Sequence, residues 1–287
     1  MVRPGALASL HLSVMLFGLA GLFGKWISLP APTIVLGRTV FAALALAAWL
    51  VLRRRGIGRC EWRFGSNGVL LALHWVAFFQ AIQTASVAVG LLGFASFPVF
   101  VLLLESVVLR RRARPSEWAC GAAVAVGLVL LVPIFELDNR IVRGLMWGLV
   151  SGFSFALLAI SNRALAARRA AVQIAFWQNA CAALVLMPAL IFATAVPRAS
   201  EVAALLVLGV VCTALAHSLF IDSMRTLSAH TASVVASLEP VYGIILAALL
   251  LGEWPNARTV VAATVILGAS AWASTRAVDV ARTPPLV

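Results

Sequence analysis

The sequence predicts an all-α integral membrane protein whose ten transmembrane helices form two inverted five-helix repeats. Its 287 residues are 63% hydrophobic and 11% charged, with a mean hydropathy of +1.04, whereas soluble domains have about 45–50% apolar and about 25% charged residues. Ten apolar stretches are long enough to span a bilayer, and two segments of the chain match each other. This composition excludes a soluble enzyme, a secreted disulfide-rich domain and a disordered chain.

The ten spans follow from the thickness of the bilayer. A hydrocarbon core about 30 Å thick requires about 20 apolar residues per helix. The stretches that meet this requirement, to within a few residues at each end, are 7–25, 31–52, 65–84, 88–109, 116–133, 141–162, 172–194, 200–222, 230–251 and 257–276. The connections between them are short and rich in Pro, Gly, Ser or Arg, so no extramembrane domain is expected.

The basic residues predict orientation and partners. The formal net charge is +12, but Lys and Arg occur in short clusters between apolar runs, such as Arg53–Arg55 and Arg110–Arg112, which is typical of membrane-flanking anchors. Of the 22 Lys and Arg residues, 16 lie on the side of the N-terminus, 5 on the other side, and Arg38 lies within span 2. This bias predicts cytoplasmic N- and C-termini. The expected partners are the lipid bilayer and a small-molecule substrate, with no nucleic acid.

An internal repeat divides the chain in two. Residues 78–109 align without gaps with residues 220–251, an offset of 142 that pairs Ser86 with Ser228 and Pro98 with Pro240. The offset covers five spans, and because five is odd the second copy crosses the membrane in the opposite sense. Residues 1–139 and 140–287 are therefore expected to form inverted repeats, a construction of secondary transporters that move solutes by alternating access.

The two matched prolines indicate where a substrate site lies. Pro98 and Pro240 stand within spans 4 and 9, and a proline inside a helix removes a hydrogen bond and bends the chain. Interrupted helices at equivalent positions of two repeats point to a transport site. The alternative is that both prolines only shape helix packing.

Aromatic and polar side chains occupy equivalent depths in spans 3 and 8. The middle of span 3 carries His74, Trp75, Phe78 and Phe79. In the repeat, His217 of span 8 occupies the position equivalent to Trp75. Trp177 is singled out because it lies away from the tryptophans at the span ends. Spans 3, 4, 8 and 9 are expected to line an aromatic cavity with a few polar groups, the alternative being simple packing.

Glu239 is the intramembrane charge of greatest interest. It precedes Pro240 directly, and a carboxylate at that depth is costly unless it faces a cavity, is paired or is protonated. It is expected to bind an ammonium group or carry a proton, the alternative being a hydrogen bond to the kinked backbone. Ser237 and Tyr242 stand close by in span 9, and Arg38 is a candidate for binding an anion or bonding to another helix.

The motifs resemble those of the EamA-type drug/metabolite transporters. The carriers of the resemblance are Pro240, the run Leu251-Gly252-Glu253 and Gly268 in the last span, together with Phe23-Gly24-Lys25 near the start. The chain departs from that family after span 4, where Arg110–Arg112 replaces the frequent Gly-Glu. The resemblance implies a ten-helix exporter of metabolites, and the aromatic interior is most similar to that of the YddG-like amino-acid exporter branch.

The function predicted from these features is export of small metabolites, foremost neutral or aromatic amino acids, across the bacterial inner membrane. The alternative in the same class is export of lipophilic cations with Glu239 as counter-ion. Proton antiport through Glu239, His74 or His217 and simple facilitated diffusion both fit the sequence. An intramembrane enzyme or a passive channel is less favoured, because catalytic motifs and a continuous polar path are both lacking.

Neither a cofactor nor a metal is expected. The four cysteines, Cys60, Cys120, Cys181 and Cys212, form no Cys-x-x-Cys pair and are predicted to be small packing residues. No residue pattern indicates an oligomeric state.

Overall fold

A computed structural model describes residues 4–108, 115–131, 139–166, 168–191, 196–225, 227, 235–236 and 238–281. These residues form ten helices, α1 to α10, of which α4 and α8 are interrupted. The bounds are α1 Pro4–Trp26, α2 Ala31–Leu52, α3 Trp62–Thr84, α4a Val87–Phe94, α4b Phe97–Val108, α5 Pro115–Leu131, α6 Arg140–Ala166, α7 Ala171–Leu186, α8a Ala199–Gly209, α8b Ala216–Ser223, α9 Glu239–Leu251 and α10 Ala257–Ala281. The ten predicted spans are confirmed in number and order.

The lengths and surfaces of the helices suit a bilayer. Seven of the described helical segments are long and apolar enough to cross it, and three shorter apolar helices, Pro115–Leu131, Glu239–Leu251 and Ala257–Ala269, complete the set. Large apolar side chains are exposed around the bundle, for example Leu184 at 70% and Leu249 at 68%. In a membrane protein such side chains face lipid, so their exposure carries no cost.

The interruption of α4 is a finding that the continuous span predicted for residues 88–109 did not include. Helix α4a ends at Phe94, where Ser96 Oγ donates a 2.7 Å hydrogen bond to the Gly93 carbonyl. Pro98 is the second residue of α4b, a position at which a helix needs no N–H donor. The proline therefore starts the second half-helix rather than bending a continuous one.

Pro240 occupies the equivalent place in the other repeat. It is the second residue of α9, which begins at Glu239 and ends at Leu251; Gly252, in the left-handed conformation with φ 67°, follows the helix. Residues 230–234 of the predicted span lie outside the described residues. Both prolines thus stand at the start of a helical segment, one in each repeat.

Helix packing follows the two-fold relation that the repeat predicts. Helix α3 packs along α6 and α1 packs along α8, while α4 lies on α6 and α1 on α9. Each of these pairs becomes the other when helices of the first repeat are exchanged for their equivalents in the second. The pairs α2 with α7, α5 with α10 and α4a with α9 map onto themselves. The repeats are therefore interlocked, with their most extensive contacts running between them.

Glycines allow the closest of these approaches. A Cβ atom at Gly148 of α6 would lie 2.8 Å from the Gly93 Cα of α4a, and one at Gly18 of α1 would lie 2.9 Å from the Gly243 N of α9. Real Cβ atoms do not approach other atoms so closely. The two crossings, α4 with α6 and α1 with α9, are equivalent in the two repeats, and each is made by a pair of glycines.

Candidate functional site

A narrow cavity lies in the middle of the bundle, between the two repeats. Both repeats contribute to its walls, through helices α1, α2, α3, α4a, α6, α8b and α9. Its lining residues are Phe17, Ala20, Arg38, Leu71, His74, Trp75, Phe78, Phe94, Phe155, His217 and Glu239. The walls are thus largely aromatic, with one cationic, one acidic and two imidazole side chains, which is the composition of a site that orients a small solute by a few polar groups.

Arg38 is the basic side chain of the cavity. It is 1% exposed, and its Nε donates a 2.9 Å hydrogen bond to Thr213 Oγ1 of the other repeat. The guanidinium lies over the Trp75 ring, with Cζ 3.8 Å from the ring centroid, and 5.4 Å from that of Phe79. Stacking on aromatic faces and a hydrogen bond at Nε hold the guanidinium in place without an ion pair.

A π-helical segment in α8 positions two polar side chains. Residues Val210–Leu215 form this segment between α8a and α8b. Within it Thr213 Oγ1 donates a 2.7 Å hydrogen bond to the Leu208 carbonyl, five residues earlier, while accepting from Arg38. A π-bulge adds a residue to the turn and often marks a functional site. It is followed by His217, whose ring meets Trp75 edge-on at a centroid distance of 5.9 Å.

His74 lies deep in the cavity and is bound across the repeats. Its Nδ1 lies 2.9 Å from Ser151 Oγ and 3.1 Å from the Ser151 carbonyl oxygen of α6. The imidazole is 5% exposed and is surrounded by the rings of Phe94 at 5.3 Å and Phe155 at 4.9 Å. One nitrogen of the ring is therefore fixed by protein atoms, and the ring itself forms part of the aromatic wall.

The aromatic wall is continuous between the repeats. Phe94 of α4a meets Phe155 of α6 at 5.2 Å and Phe78 of α3 at 6.0 Å, both edge-to-face. Phe220 of α8b links Phe155 at 5.9 Å with Phe17 of α1 at 5.7 Å. Such rings offer an apolar surface with a negative face that also attracts cations.

Glu239 is the acidic side chain of the cavity. It is 5% exposed and occupies the first turn of α9, where the backbone N–H groups of a helix start favour a negative charge. Arg38, in the other repeat, acts on it electrostatically. The cavity thus brings one basic and one acidic group, 201 positions apart in the sequence, to a shared apolar site.

The structure brings together five of the eleven residues that the sequence indicated as a site. His74, Trp75, Phe78, His217 and Glu239 all line the cavity. Ser237 lies outside the described residues. The remaining five are not among the residues that line the cavity.

Two of these five are close to the cavity wall without lining it. Phe79 is fully buried beside the Arg38 guanidinium. The hydroxyl of Tyr242 lies 3.5 Å from His11 Nδ1 of α1. Both therefore support the residues around the cavity through helix contacts.

The other three hold the helices that surround the cavity. Pro98 and Pro240 start α4b and α9. Trp177 of α7 stacks on Phe64 at 6.4 Å and donates from Nε1 to the Ile57 carbonyl at 3.1 Å. It lies at the face of the bundle that carries the N-terminus, away from the central cavity.

Several lining residues were not indicated by the sequence pattern. The predicted cavity consisted of spans 3, 4, 8 and 9, whereas the structure adds Phe17 and Ala20 of α1, Arg38 of α2 and Phe155 of α6. Helices α1 and α6 are equivalent in the two repeats. The two-fold relation was therefore the signal in the sequence from which a pair of further lining helices could have been inferred. Arg38 was recognised as a candidate anion ligand or helix–helix contact, and the structure shows the second of these.

Hydrogen bonds join the repeats at the face that carries the α1–α2 connection. Lys25 Nζ lies 3.7 Å from Glu253 Oε1 and donates to the Ala85 carbonyl at 3.1 Å. The other carboxylate oxygen, Glu253 Oε2, accepts the Val87 N–H at 3.1 Å at the start of α4a. Glu253 belongs to the second repeat, whereas its two partners, Lys25 and Val87, belong to the first. The opposite face is joined by an ion pair between Arg169 and Glu61.

The described residues contain no group of three or more His, Cys, Asp or Glu that could hold a metal ion. All four cysteines are free: Cys60 is exposed, Cys181 is half-buried, and Cys120 and Cys212 are buried.

Two segments of the chain match one family of sequences. Residues 5–132 and 142–275 each match the EamA-like transporter family. The two matches coincide with the two five-helix repeats, so each repeat carries the family pattern independently.

Similar proteins support the same grouping. The chain is 24% identical over 264 residues to the uncharacterized transporter YxxF of Bacillus subtilis, covering 88% of this chain and 84% of that protein. It is 28% identical over 248 residues to the pseudopaline exporter CntI of Pseudomonas aeruginosa, covering 84% of each. It is 23% identical over 204 residues to an S-adenosylmethionine uptake transporter of Rickettsia prowazekii, covering 71% of this chain and 68% of that protein.

A solved crystal structure has the same fold. Its TM-score is 0.72 at 19% sequence identity, covering 98% of this chain and 100% of the other.

Proposed function

The chain belongs to the EamA-like transporter family, and we propose that it exports small metabolites, foremost neutral or aromatic amino acids, by alternating access. It is a multi-pass membrane transporter and not an enzyme. The observation that carries the proposal is the central cavity, which lies between two inverted repeats and has aromatic walls with an acidic and a basic group. A cavity enclosed in this way reaches one side of the membrane or the other when the repeats rock.

The two moving bodies are residues 1–139 and 140–287. The separate family matches over 5–132 and 142–275 support this division. Lys25 with Glu253 at one face and Glu61 with Arg169 at the other are the contacts that such a motion breaks and remakes.

The membrane and the orientation are part of the proposal. The excess of Lys and Arg on the side of the N-terminus supports cytoplasmic termini in the bacterial inner membrane. The face that joins Lys25 to Glu253 is then the external face. Export consequently requires the Lys25–Glu253 contact to break after the substrate has entered from the cytoplasm.

Amino acids are favoured as substrates by the chemistry of the cavity. An amino acid with an aromatic or neutral side chain has an apolar part that fits the phenylalanine walls, and ionic groups that Arg38 and Glu239 can bind. S-adenosylmethionine, named for the relative from Rickettsia prowazekii, also carries an α-amino-acid group.

Three side chains are proposed as proton carriers if export is coupled to a proton gradient. They are Glu239, His74 and His217, which all line the cavity. A buried carboxylic acid or imidazole can exchange a proton on each transport cycle. Replacing the carrier with Gln would then abolish the response of transport to a pH gradient in proteoliposomes.

Uptake into proteoliposomes tests the proposal. The purified protein, reconstituted in liposomes, is given a panel of radiolabelled amino acids with and without a pH gradient. We expect saturable uptake of aromatic and neutral amino acids above that of protein-free liposomes. Absence of uptake of every amino acid in the panel would contradict the substrate class, and uptake indifferent to the gradient would exclude the proton carriers.

Export of lipophilic cations is the second candidate, because Glu239 stands in an aromatic cavity. Aromatic faces and a carboxylate are the groups that bind a quaternary ammonium ion. The same liposomes, loaded with a fluorescent lipophilic cation, separate the candidates. Loss of cation transport in Glu239→Gln with amino-acid transport retained would support two substrate classes.

A further inference from the structure

We propose that Arg38 and Glu239 are the two ends of a zwitterion site, in which Arg38 binds the substrate carboxylate and Glu239 its ammonium group. This inference rests on the proposed function and deepens it, since it states which chemical groups a substrate must have. Three features of the cavity support it: the donors left to Arg38, the balance of charges and the way that both groups are held.

Arg38 retains donors that face the cavity. A guanidinium has five N–H donors, and within the described part of the chain only the Nε donor has a hydrogen-bond partner, Thr213 Oγ1. Stacking over Trp75 at 3.8 Å occupies one face of the guanidinium but not its edge. The edge carries the four donors of Nη1 and Nη2, which match a carboxylate in a bidentate geometry.

Glu239 supplies the complementary end. Its carboxylate is the acidic group among the lining residues, and it acts electrostatically on Arg38. The carboxylate and ammonium of an α-amino acid are attached to the same carbon atom, so they require a basic and an acidic partner close together. The two side chains come from α2 and α9, one in each repeat, so a bound zwitterion connects the two moving bodies.

Charge balance favours a zwitterion over a cation. With the histidines neutral and both Arg38 and Glu239 ionised, the cavity contains one positive and one negative charge, and a zwitterion adds one of each. Every charge then has a partner of opposite sign in a site where an unpaired charge is costly. A lipophilic cation paired with Glu239 would leave the Arg38 charge without a partner of opposite sign.

The surroundings of both groups restrict their movement. Arg38 is held by Trp75, Phe79 and Thr213, and Glu239 begins α9 next to a proline. The titratable groups that face them are His74 and His217, which line the same cavity. A site made from restrained groups loses little conformational freedom when a substrate binds.

Three compounds and the wild-type protein provide the first test. L-Phenylalanine has both ionic groups, L-phenylalaninamide lacks the carboxylate, and L-phenyllactate lacks the ammonium group. We expect phenylalaninamide and phenyllactate each to bind about tenfold or more weakly than phenylalanine, measured as competition against bound radiolabelled phenylalanine. Equal affinity for phenylalanine and phenylalaninamide would overturn the role of Arg38.

Variants assign each ionic group to its partner. Arg38→Gln should bind phenylalanine and phenylalaninamide with equal affinity while still discriminating against phenyllactate. Glu239→Gln should bind phenylalanine and phenyllactate with equal affinity while still discriminating against phenylalaninamide. Arg38→Lys is the matched control, which keeps the charge and should keep part of the discrimination. Thermal unfolding and gel filtration identify variants that fail to fold, and the wild-type comparison stands without them.

The outcomes separate this inference from the proposed function. If the wild type transports phenylalanine but Arg38→Gln retains the wild-type preference over phenylalaninamide, the zwitterion site is wrong and amino-acid transport stands. If the wild type neither binds nor transports any amino acid, the proposed function is wrong and the inference fails with it. Tighter binding of phenylalaninamide than phenylalanine would favour the cation alternative.

Discussion

Phe155 makes four ring contacts, three of them with residues of the first repeat. Its ring lies 4.9 Å from His74, 5.2 Å from Phe94 and 5.3 Å from Phe97, and it also meets Phe220. It therefore joins the first repeat to the second in the wall of the cavity.

Truncating Phe155 should weaken substrate binding. Phe155→Ala removes an aromatic surface and is expected to raise the half-saturation concentration for phenylalanine about two- to tenfold, measured as initial uptake rate in proteoliposomes. Phe153→Ala is the control, since it removes the same atoms from the same helix at a residue 44% exposed. An equal effect of both variants would show that Phe155 acts only through stability.

Thr213 is a positioning residue for Arg38. Thr213→Val replaces the hydroxyl by a methyl group of similar size and leaves the Arg38 Nε without its acceptor. A hydrogen bond to a charged group contributes about 1.5–3 kcal/mol, so we expect phenylalanine affinity to fall about tenfold. Thr213→Ser keeps the hydroxyl and should retain most of the affinity. Loss of affinity in both variants would point to packing of the threonine methyl group instead.

The sequence predicted the polar part of the site better than its aromatic part. His74, His217 and Glu239 were recognisable because ionisable side chains are rare in the middle of apolar spans. Phe155 was not, because the chain has 15 phenylalanines and nothing local separates one that lines a cavity from one that faces lipid.

At the scale of helices, two interruptions shape the site. The break of α4 at residues 95 and 96 and the π segment Val210–Leu215 of α8 both place side chains in the cavity. Helix existence and length follow from local hydropathy, so the ten spans were predictable to within a few residues. The π segment depends on the tertiary contact between Thr213 and Arg38 and had no signal in the local sequence.

The contacts of Glu253 with Lys25 and with the start of α4a should favour the state of the protein in which the face carrying the α1–α2 connection is closed. Glu253→Gln removes the ion pair and weakens the bond to Val87 N–H. We expect up to about a fivefold increase in the rate at which a cysteine at residue 20 reacts with an impermeant maleimide from that face. The measurement uses Ala20→Cys in a protein whose four native cysteines have been replaced.

Asn139→Ala provides the comparison for Glu253→Gln. Asn139 accepts the Ile141 N–H at 2.9 Å, a local bond at the start of α6 on the same face. Its loss should leave the labelling rate unchanged. An unchanged rate in Glu253→Gln as well would mean that other contacts keep the face closed.

At the scale of the whole molecule, the stability of each repeat depends on the other. The most extensive helix contacts, α3 with α6, α5 with α10 and α2 with α7, all cross between the repeats. A repeat separated from the other would lose these contacts, and it would also lose the glycine crossings between α4 and α6 and between α1 and α9.

Cutting the chain between residues 139 and 140 tests this dependence. Co-expressed halves should associate, so that a tag on residues 1–139 recovers residues 140–287 from detergent solution and the pair binds phenylalanine. Either half expressed alone should be degraded or aggregate. A half that is stable and monomeric alone would contradict the interlocked arrangement.

The inverted repeat was the most informative part of the sequence. It predicted the architecture and the division of the chain, because Pro98 and Pro240 and their neighbours match at a fixed offset. It did not by itself place α1 and α6 at the cavity, because their position there follows from how the repeats pack.

The π segment of α8 has no counterpart in α3, which is a regular helix over Trp62–Thr84. Exchanging the repeats therefore does not reproduce the original arrangement, so the two end states of the proposed alternating-access cycle would differ in energy. Such a carrier would have unequal half-saturation concentrations on its two sides. Without an energy source, thermodynamic balance still requires the solute to reach the same concentration in both compartments, so the asymmetry sets the speed of emptying a cell and not the final gradient.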